Sequence, residues 1–204
     1  MSGIDWYGFF AASVAVVLAP GPGSLFVARS AALSGTGAGI RAMLGIMLGD
    51  TALILLSFFG VSALFIAHPA LFHIIRLLGA CYLIYLGIMA LCSSMPENTE
   101  NGSRPAMPFR RAFAITLFNP KAVLFFTAFF PLFIHNPAGG LLTGYISLTL
   151  GFMLVSAAYL TLLTHMTVKV GIRFRRSRVM QSFARKACGS LFIGFGVKVA
   201  VTAR

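Results

Sequence analysis

A chain of 204 residues that is 58% hydrophobic and 10% charged, with a mean hydropathy of +0.91, is too apolar for a water-soluble domain. Its net charge of +12 would suit nucleic acid in a polar protein, but seven of the sixteen basic residues crowd into Lys169–Lys186 and most others flank apolar runs. That placement belongs to membrane topology, and a nucleic-acid role is set aside.

Met1–Asp5 holds no Lys or Arg, and no small-residue cleavage site precedes a polar region, so the first apolar run is expected to stay attached. Six such runs follow, roughly Trp6–Ala28, Ala42–Ala67, Leu71–Cys92, Ala112–Ile134, Leu141–Val168 and Ala187–Val201. They predict an all-α integral membrane protein of six transmembrane helices, one polytopic domain over residues 1–204.

The first run, Trp6–Ala28, is uncharged and long enough to cross a hydrocarbon layer of ~30 Å at ~1.5 Å per residue. Inside it lies Ala19-Pro20-Gly21-Pro22-Gly23-Ser24. Each proline removes a backbone donor and each glycine loosens the turn, so this helix is expected to break. In lipid such a break is tolerated only where protein or a wet cavity satisfies the freed groups.

The second run carries Asp50, the only acid within any of the six. Gly45-x-x-x-Gly49 precedes it, a pattern read first as close helix packing and second as room for a ligand. The third carries Arg76 near its start, within snorkelling reach of an interface. Residues 93–108 form the long polar loop, with three prolines and both glutamates, and read as a joint between two three-span halves. An odd number of spans per half inverts one half relative to the other, giving a 3+3 inverted repeat. The fourth run is interrupted by Asn119-Pro120-Lys121, a second expected break. The sixth is the weakest and needs Lys198 to snorkel.

Twelve Lys and Arg residues border or fill the first, third and fifth loops; the opposite side has Arg76 and Arg204. The positive-inside rule then puts those loops in the cytoplasm and both termini outside. The seven cations of the fifth loop read as a translocation stop, with anionic lipid as the alternative partner. The sequon Asn101-Gly102-Ser103 falls on the cytoplasmic side, where it has no use.

Asp50 lies ~12 Å and Lys121 ~14 Å in from the cytoplasmic ends of their runs at helical rise, and Pro20 is at a similar depth. Charges so placed should face the bundle interior or water. A structural ion pair, or satisfaction of the broken helix ends, is one reading of them; a cavity, which also explains the two breaks at one level, is the other. The ladder Phe125, Phe126, Phe129 and Phe130 reads as packing rather than a ligand box. Cys81 and Cys92, ~16 Å apart along one helix, cannot share a metal or a disulfide, and His68, His73 and His135 read as solvated loop residues. No metal and no cofactor is implied.

Four stretches in order resemble the LysE/RhtB family of bacterial amino-acid exporters: Leu18-Ala19-Pro20-Gly21-Pro22, Gly45-Ile-Met-Leu-Gly49-Asp50, Arg76 to Gly87, and Phe118-Asn119-Pro120-Lys121-Ala122. The resemblance covers essentially the whole chain and thins in the second half. It implies proton-driven efflux of amino acids or their derivatives across the bacterial inner membrane, without fixing the substrate or the oligomeric state.

The substrate and proton pathway is expected on Pro20, Gly21, Pro22, Gly23, Ser24, Gly49, Asp50, Asn119, Pro120 and Lys121. A zwitterionic amino acid suits a broken helix, whose restart offers amides to a carboxylate while Asp50 meets the ammonium. Rival readings are a metal-ion exporter of related type, a membrane thiol-redox protein, and a hydrolase built on Ser24 and Asp50. The isolated cysteines oppose the first two, and the lack of a buried histidine near Ser24 opposes the third.

Overall fold

A computed structural model describes residues 3–67, 105–136 and 140–170, with isolated helical positions between 81 and 92 and between 186 and 201. Apart from those positions, the expected third and sixth spans lie outside the described residues, as do the fifth loop from residue 171 and most of the 93–108 joint. The described chain is helical except for one short ladder, in which Gly3–Ile4 (β1) pairs antiparallel with Ile134–Asn136 (β2).

Asp5 caps α1 (Trp6–Leu18), its carboxylate accepting from the Gly8 amide at 2.9 Å. The helix stops at Ala19, extended at ψ 119° as the residue before a proline prefers. Pro22 then takes the first position of α2 (Pro22–Ser34), where a missing N–H costs no intrahelical bond. The Ser24 hydroxyl bonds both the amide and the carbonyl of Gly21, at 3.2 and 3.1 Å, fixing the restart. α1 and α2 meet at a bend of 53°.

Gly35, at φ +78°, turns the chain into α3 (Thr36–Ala67). α2 continues past Ala28, and α3 begins before Ala42, so Arg29 and Arg41 are helical rather than loop residues. Hydropathy marks the apolar part of a helix; these helices extend beyond it.

The second break repeats the first. α4 (Pro108–Leu117) ends before Asn119, whose side chain accepts from the Lys121 amide at 3.1 Å and caps α5 (Pro120–Leu124). The bend between Pro108–Leu117 and Pro120–Phe133 is 54°. After α5 the chain widens into a π-helical turn at Phe125–Phe129 and tightens to a 3₁₀ turn at Phe130–Phe133. Ser57 of α3 donates to the Phe126 carbonyl of the wide turn at 2.6 Å and meets the Tyr145 hydroxyl at 3.2 Å. Tyr145 belongs to α6 (Leu141–Val170).

Two single helices, Thr36–Gly60 and Leu141–Lys169, are long and apolar enough to cross a membrane, and each bent pair passes the same test taken together. Gly45 and Gly49 let α4 lie against α3: a Cβ at Gly45 would strike the Phe109 carbonyl, and one at Gly49 would meet Thr116 Cβ at 2.7 Å. The first reading of the Gly-x-x-x-Gly pattern, close packing, matches this contact. Phe125, Phe126 and Phe130 are buried in an aromatic core with Phe9, Phe133 and Phe152. A smaller aliphatic cluster joins Val27, Ala42, Ile46, Ala112 and Leu160.

Candidate substrate site at the two helix breaks

A proline at position 20 deletes the hydrogen bond that an unbroken helix would send from residue 20 to the carbonyl of Val16. Lys121, from the other break, supplies the missing donor. Its Nζ lies 3.0 Å from Val16 O and 2.9 Å from Ala19 O. An ammonium at a helix C-terminus also meets the negative end of the helix dipole. Gly21 makes the approach feasible, since a Cβ there would stand 3.0 Å from Lys121 Nζ and 3.4 Å from its Cε.

Beside this junction is a half-enclosed cavity of about 70 Å³. Its polar lining comes from Ser24 of α2, Asp50 of α3, Thr116 of α4, Asn119, Lys121 and Ser156 of α6. Gly21 and Gly23 open its floor to the backbone of the first break. The remaining wall is apolar: Val16, Val17, Ile46, Ala122, Phe126, Phe152 and Leu160. Asp50 is 5% exposed, so this carboxylate is removed from bulk solvent and faces the same small space as Lys121.

Six of the ten residues expected on the pathway therefore line one cavity: Gly21, Gly23, Ser24, Asp50, Asn119 and Lys121. Four do not. Pro20, Pro22 and Pro120 are exposed and shape the breaks from outside, and Gly49 is turned to Thr116 of α4. Thr116, Ser156 and Phe152 were not singled out in the sequence. Ser156 stands four residues before Leu160 on one face of α6, a spacing visible in the sequence but common to many helices. Cys81 and Cys92 are exposed.

The family model for LysE type translocators matches residues 14–203. The chain belongs to that family. It is thus similar over nearly its whole length to known translocators, and it is a multi-pass membrane protein. A membrane protein of Pseudomonas aeruginosa described as uncharacterized is 39% identical, over 96% of this chain and 94% of its own length. The leucine efflux protein of Salmonella typhimurium is 32% identical, over 97% of this chain and 95% of its own. That of Enterobacter sp. (strain 638) is likewise 32% identical over the same shares of the two chains. No solved structure matches the chain significantly. Within this LysE type translocator the two breaks, Asp50 and Lys121 are the features around which the described helices converge.

Proposed function

We propose that the chain is a secondary transporter that exports amino acids with aliphatic side chains, of the leucine type, across the bacterial inner membrane in exchange for protons. The observation that carries this is the shared cavity: an acid and a base on separate helices, in a pocket lined otherwise by the uncharged polar side chains of Ser24, Thr116, Asn119 and Ser156 and by an aliphatic and aromatic wall. An amino acid is a zwitterion with one variable arm. Its ammonium pairs with Asp50, and its carboxylate lies in the field of Lys121 and the amides opening α2. An aliphatic arm packs against Ile46, Leu160, Phe126 and Phe152. The relatives named as leucine efflux proteins support both the substrate class and the outward direction.

Loading and release call for the helices to part in turn on either side of the cavity, as alternating access demands. In our reading the full chain has six spans in a 3+3 inverted repeat, with the two bent pairs as spans one and four and both termini periplasmic. The second half of α2, the end of α6 and the starts of α3 and α4 carry Arg29, Lys169, Arg41, Arg110 and Arg111, and the positive-inside rule places them in the cytoplasm.

Counterflow of labelled amino acids into proteoliposomes tests the proposal. Leucine and its aliphatic neighbours are expected to exchange, with aspartate and lysine excluded. Transport of lysine in preference to leucine would move the substrate class, and no exchange of any amino acid would remove the exporter reading.

A further inference from the structure

Phe126 and Phe152 are the two aromatic residues in the cavity wall, and their rings meet edge-to-face at 5.0 Å and 81°. The backbone behind the Phe126 ring departs from an ordinary helix. In an α-helix the carbonyl of Phe126 would accept from the amide of Phe130, four residues on. Here the Phe130 amide goes to Phe125 O, five residues back, the bond that makes the turn at Phe125–Phe129 π-helical. In that wide register the donor for Phe126 O would be the amide of residue 131, and residue 131 is proline.

A side chain fills the place. Ser57 of α3 donates to Phe126 O at 2.6 Å. A serine hydroxyl has one proton, so at the 3.2 Å contact between Ser57 and Tyr145 of α6 it is the Tyr145 hydroxyl that donates. The result is a buried chain, Tyr145 O–H to Ser57 O–H to Phe126 C=O, that ties α3 and α6 to the wide turn. Ser57 and Tyr145 are both 2% exposed. Each bond in such a chain polarises and strengthens the next.

The chain stands directly beyond the cavity. Ser57 lies seven residues after Asp50 on α3, and Tyr145 seven before Phe152 on α6. Seven residues are two helical turns, so both fall on the cavity side of their helices, ~10 Å further along. Without Ser57 the turn has another way to satisfy itself. The Phe130 amide can move from Phe125 O to Phe126 O, giving an α-helical turn that needs no outside donor. That tightening changes the angle between Phe126 and Phe130 about the helix axis. The Phe126 ring then gives up its present seat between Phe130, at 5.7 Å, and Phe152.

We propose that Ser57 is a positioning residue for the side-chain end of the substrate. By holding Phe125–Phe129 in the wide register it seats the Phe126 ring in the cavity wall and limits the size of the arm that fits. Tyr145 supports it by directing the Ser57 proton at Phe126 O. The inference rests on the exporter reading above, in which the arm packs against Phe126 and Phe152.

The test uses the full chain in proteoliposomes, with kcat/KM measured for leucine and for the larger phenylalanine. Ser57→Ala should lower the leucine-to-phenylalanine ratio about ten-fold, the scale on which an apolar pocket separates substrates by size. Ser57→Thr keeps the hydroxyl and should keep the ratio. Adding Pro131→Ala to Ser57→Ala supplies the amide that the wide register lacks, and should restore the ratio. Tyr145→Phe leaves the Ser57 hydroxyl in place and should move the ratio the same way by a smaller factor; it decides the matter if Ser57→Ala yields no folded protein. A merely structural Ser57 would slow both substrates equally, and an unchanged ratio overturns the positioning role. Wild-type protein that exchanges no amino acid overturns the exporter reading itself, and this inference falls with it.

Discussion

Lys121 does the work of the amide that Pro20 lacks. Its Nζ takes the Val16 carbonyl at 3.0 Å, the acceptor that residue 20 would have bonded in an intact helix, and Ala19 O at 2.9 Å. The break in α1 and the charge in the later span are thus one arrangement. The two sequence readings of Lys121, satisfying a broken helix end and facing a cavity, describe the same side chain.

A double variant separates these roles. Lys121→Met should still insert but lose transport, with a lower unfolding midpoint, since two buried acceptors lose their donor at about 1–3 kcal/mol each before water compensates. Adding Pro20→Ala returns an N–H to residue 20, which can bond Val16 O once the helix closes through Ala19. The midpoint should then recover in part while transport stays absent. Recovery of transport in the pair would reduce Lys121 to a helix cap. Lys121→Arg is not expected to rescue, because the guanidinium is broad and Gly21 leaves room only for a slim ammonium.

Two glycines give opposite outcomes for different physical reasons. Gly21 has φ −145°, open to any residue, yet its Cβ would stand 3.0 Å from Lys121 Nζ. Gly21→Ala should therefore displace Lys121 and cut transport at least ten-fold. Gly35 has φ +78° and nothing within 4 Å of its Cβ. Gly35→Ala should cost about 1–3 kcal/mol of stability through the backbone and leave the rate per folded molecule unchanged. Initial rates normalised to folded protein decide both.

Much of this was legible because prolines and charges are conspicuous in an apolar chain. Pro20, Pro22 and Pro120 announced the breaks, and Asp50 and Lys121 stood out by their cost in lipid. What the composition hides is lining made of ordinary residues. Thr116, Ser156 and Phe152 carry no signature, since a threonine bonded back to its own helix and one facing a cavity look alike in sequence; Thr116 is both. The π-helical turn at Phe125–Phe129 is invisible to hydropathy, because the apolar pattern there fits an α-helix equally well. The pairing of Gly3–Ile4 with Ile134–Asn136 joins segments too short and too distant for any local signal.

Topology is open to direct test. Cysteines placed at Ser103 and Asn136 in a cysteine-free background should label from opposite faces, 103 from the cytoplasm and 136 from outside. The basis is the crowding of basic residues in the second half of α2, at the end of α6 and at the starts of α3 and α4, away from the β1–β2 ladder. Labelling of position 136 from the cytoplasm alone would invert the scheme.

Energy coupling is the last prediction. Asp50 is the only carboxylate within the six apolar runs, it is 95% buried, and it lines the cavity with Lys121. If protons cross by way of a carboxylate, no other residue of those runs can carry them. A group that binds the substrate ammonium on one face and a proton on the other exchanges the two as access alternates. Asp50→Asn keeps the size and a hydrogen-bonding oxygen but cannot titrate. The variant should retain measurable leucine binding, with weaker affinity for want of the charge, and should lose accumulation driven by a pH gradient, leaving downhill exchange at most. A purely structural Asp50 predicts something else: less folded protein, with each surviving molecule still coupled. Accumulation and exchange are to be measured in the same vesicles and divided by folded protein. Gradient-driven accumulation at the wild-type rate per folded molecule would end the coupling role of Asp50.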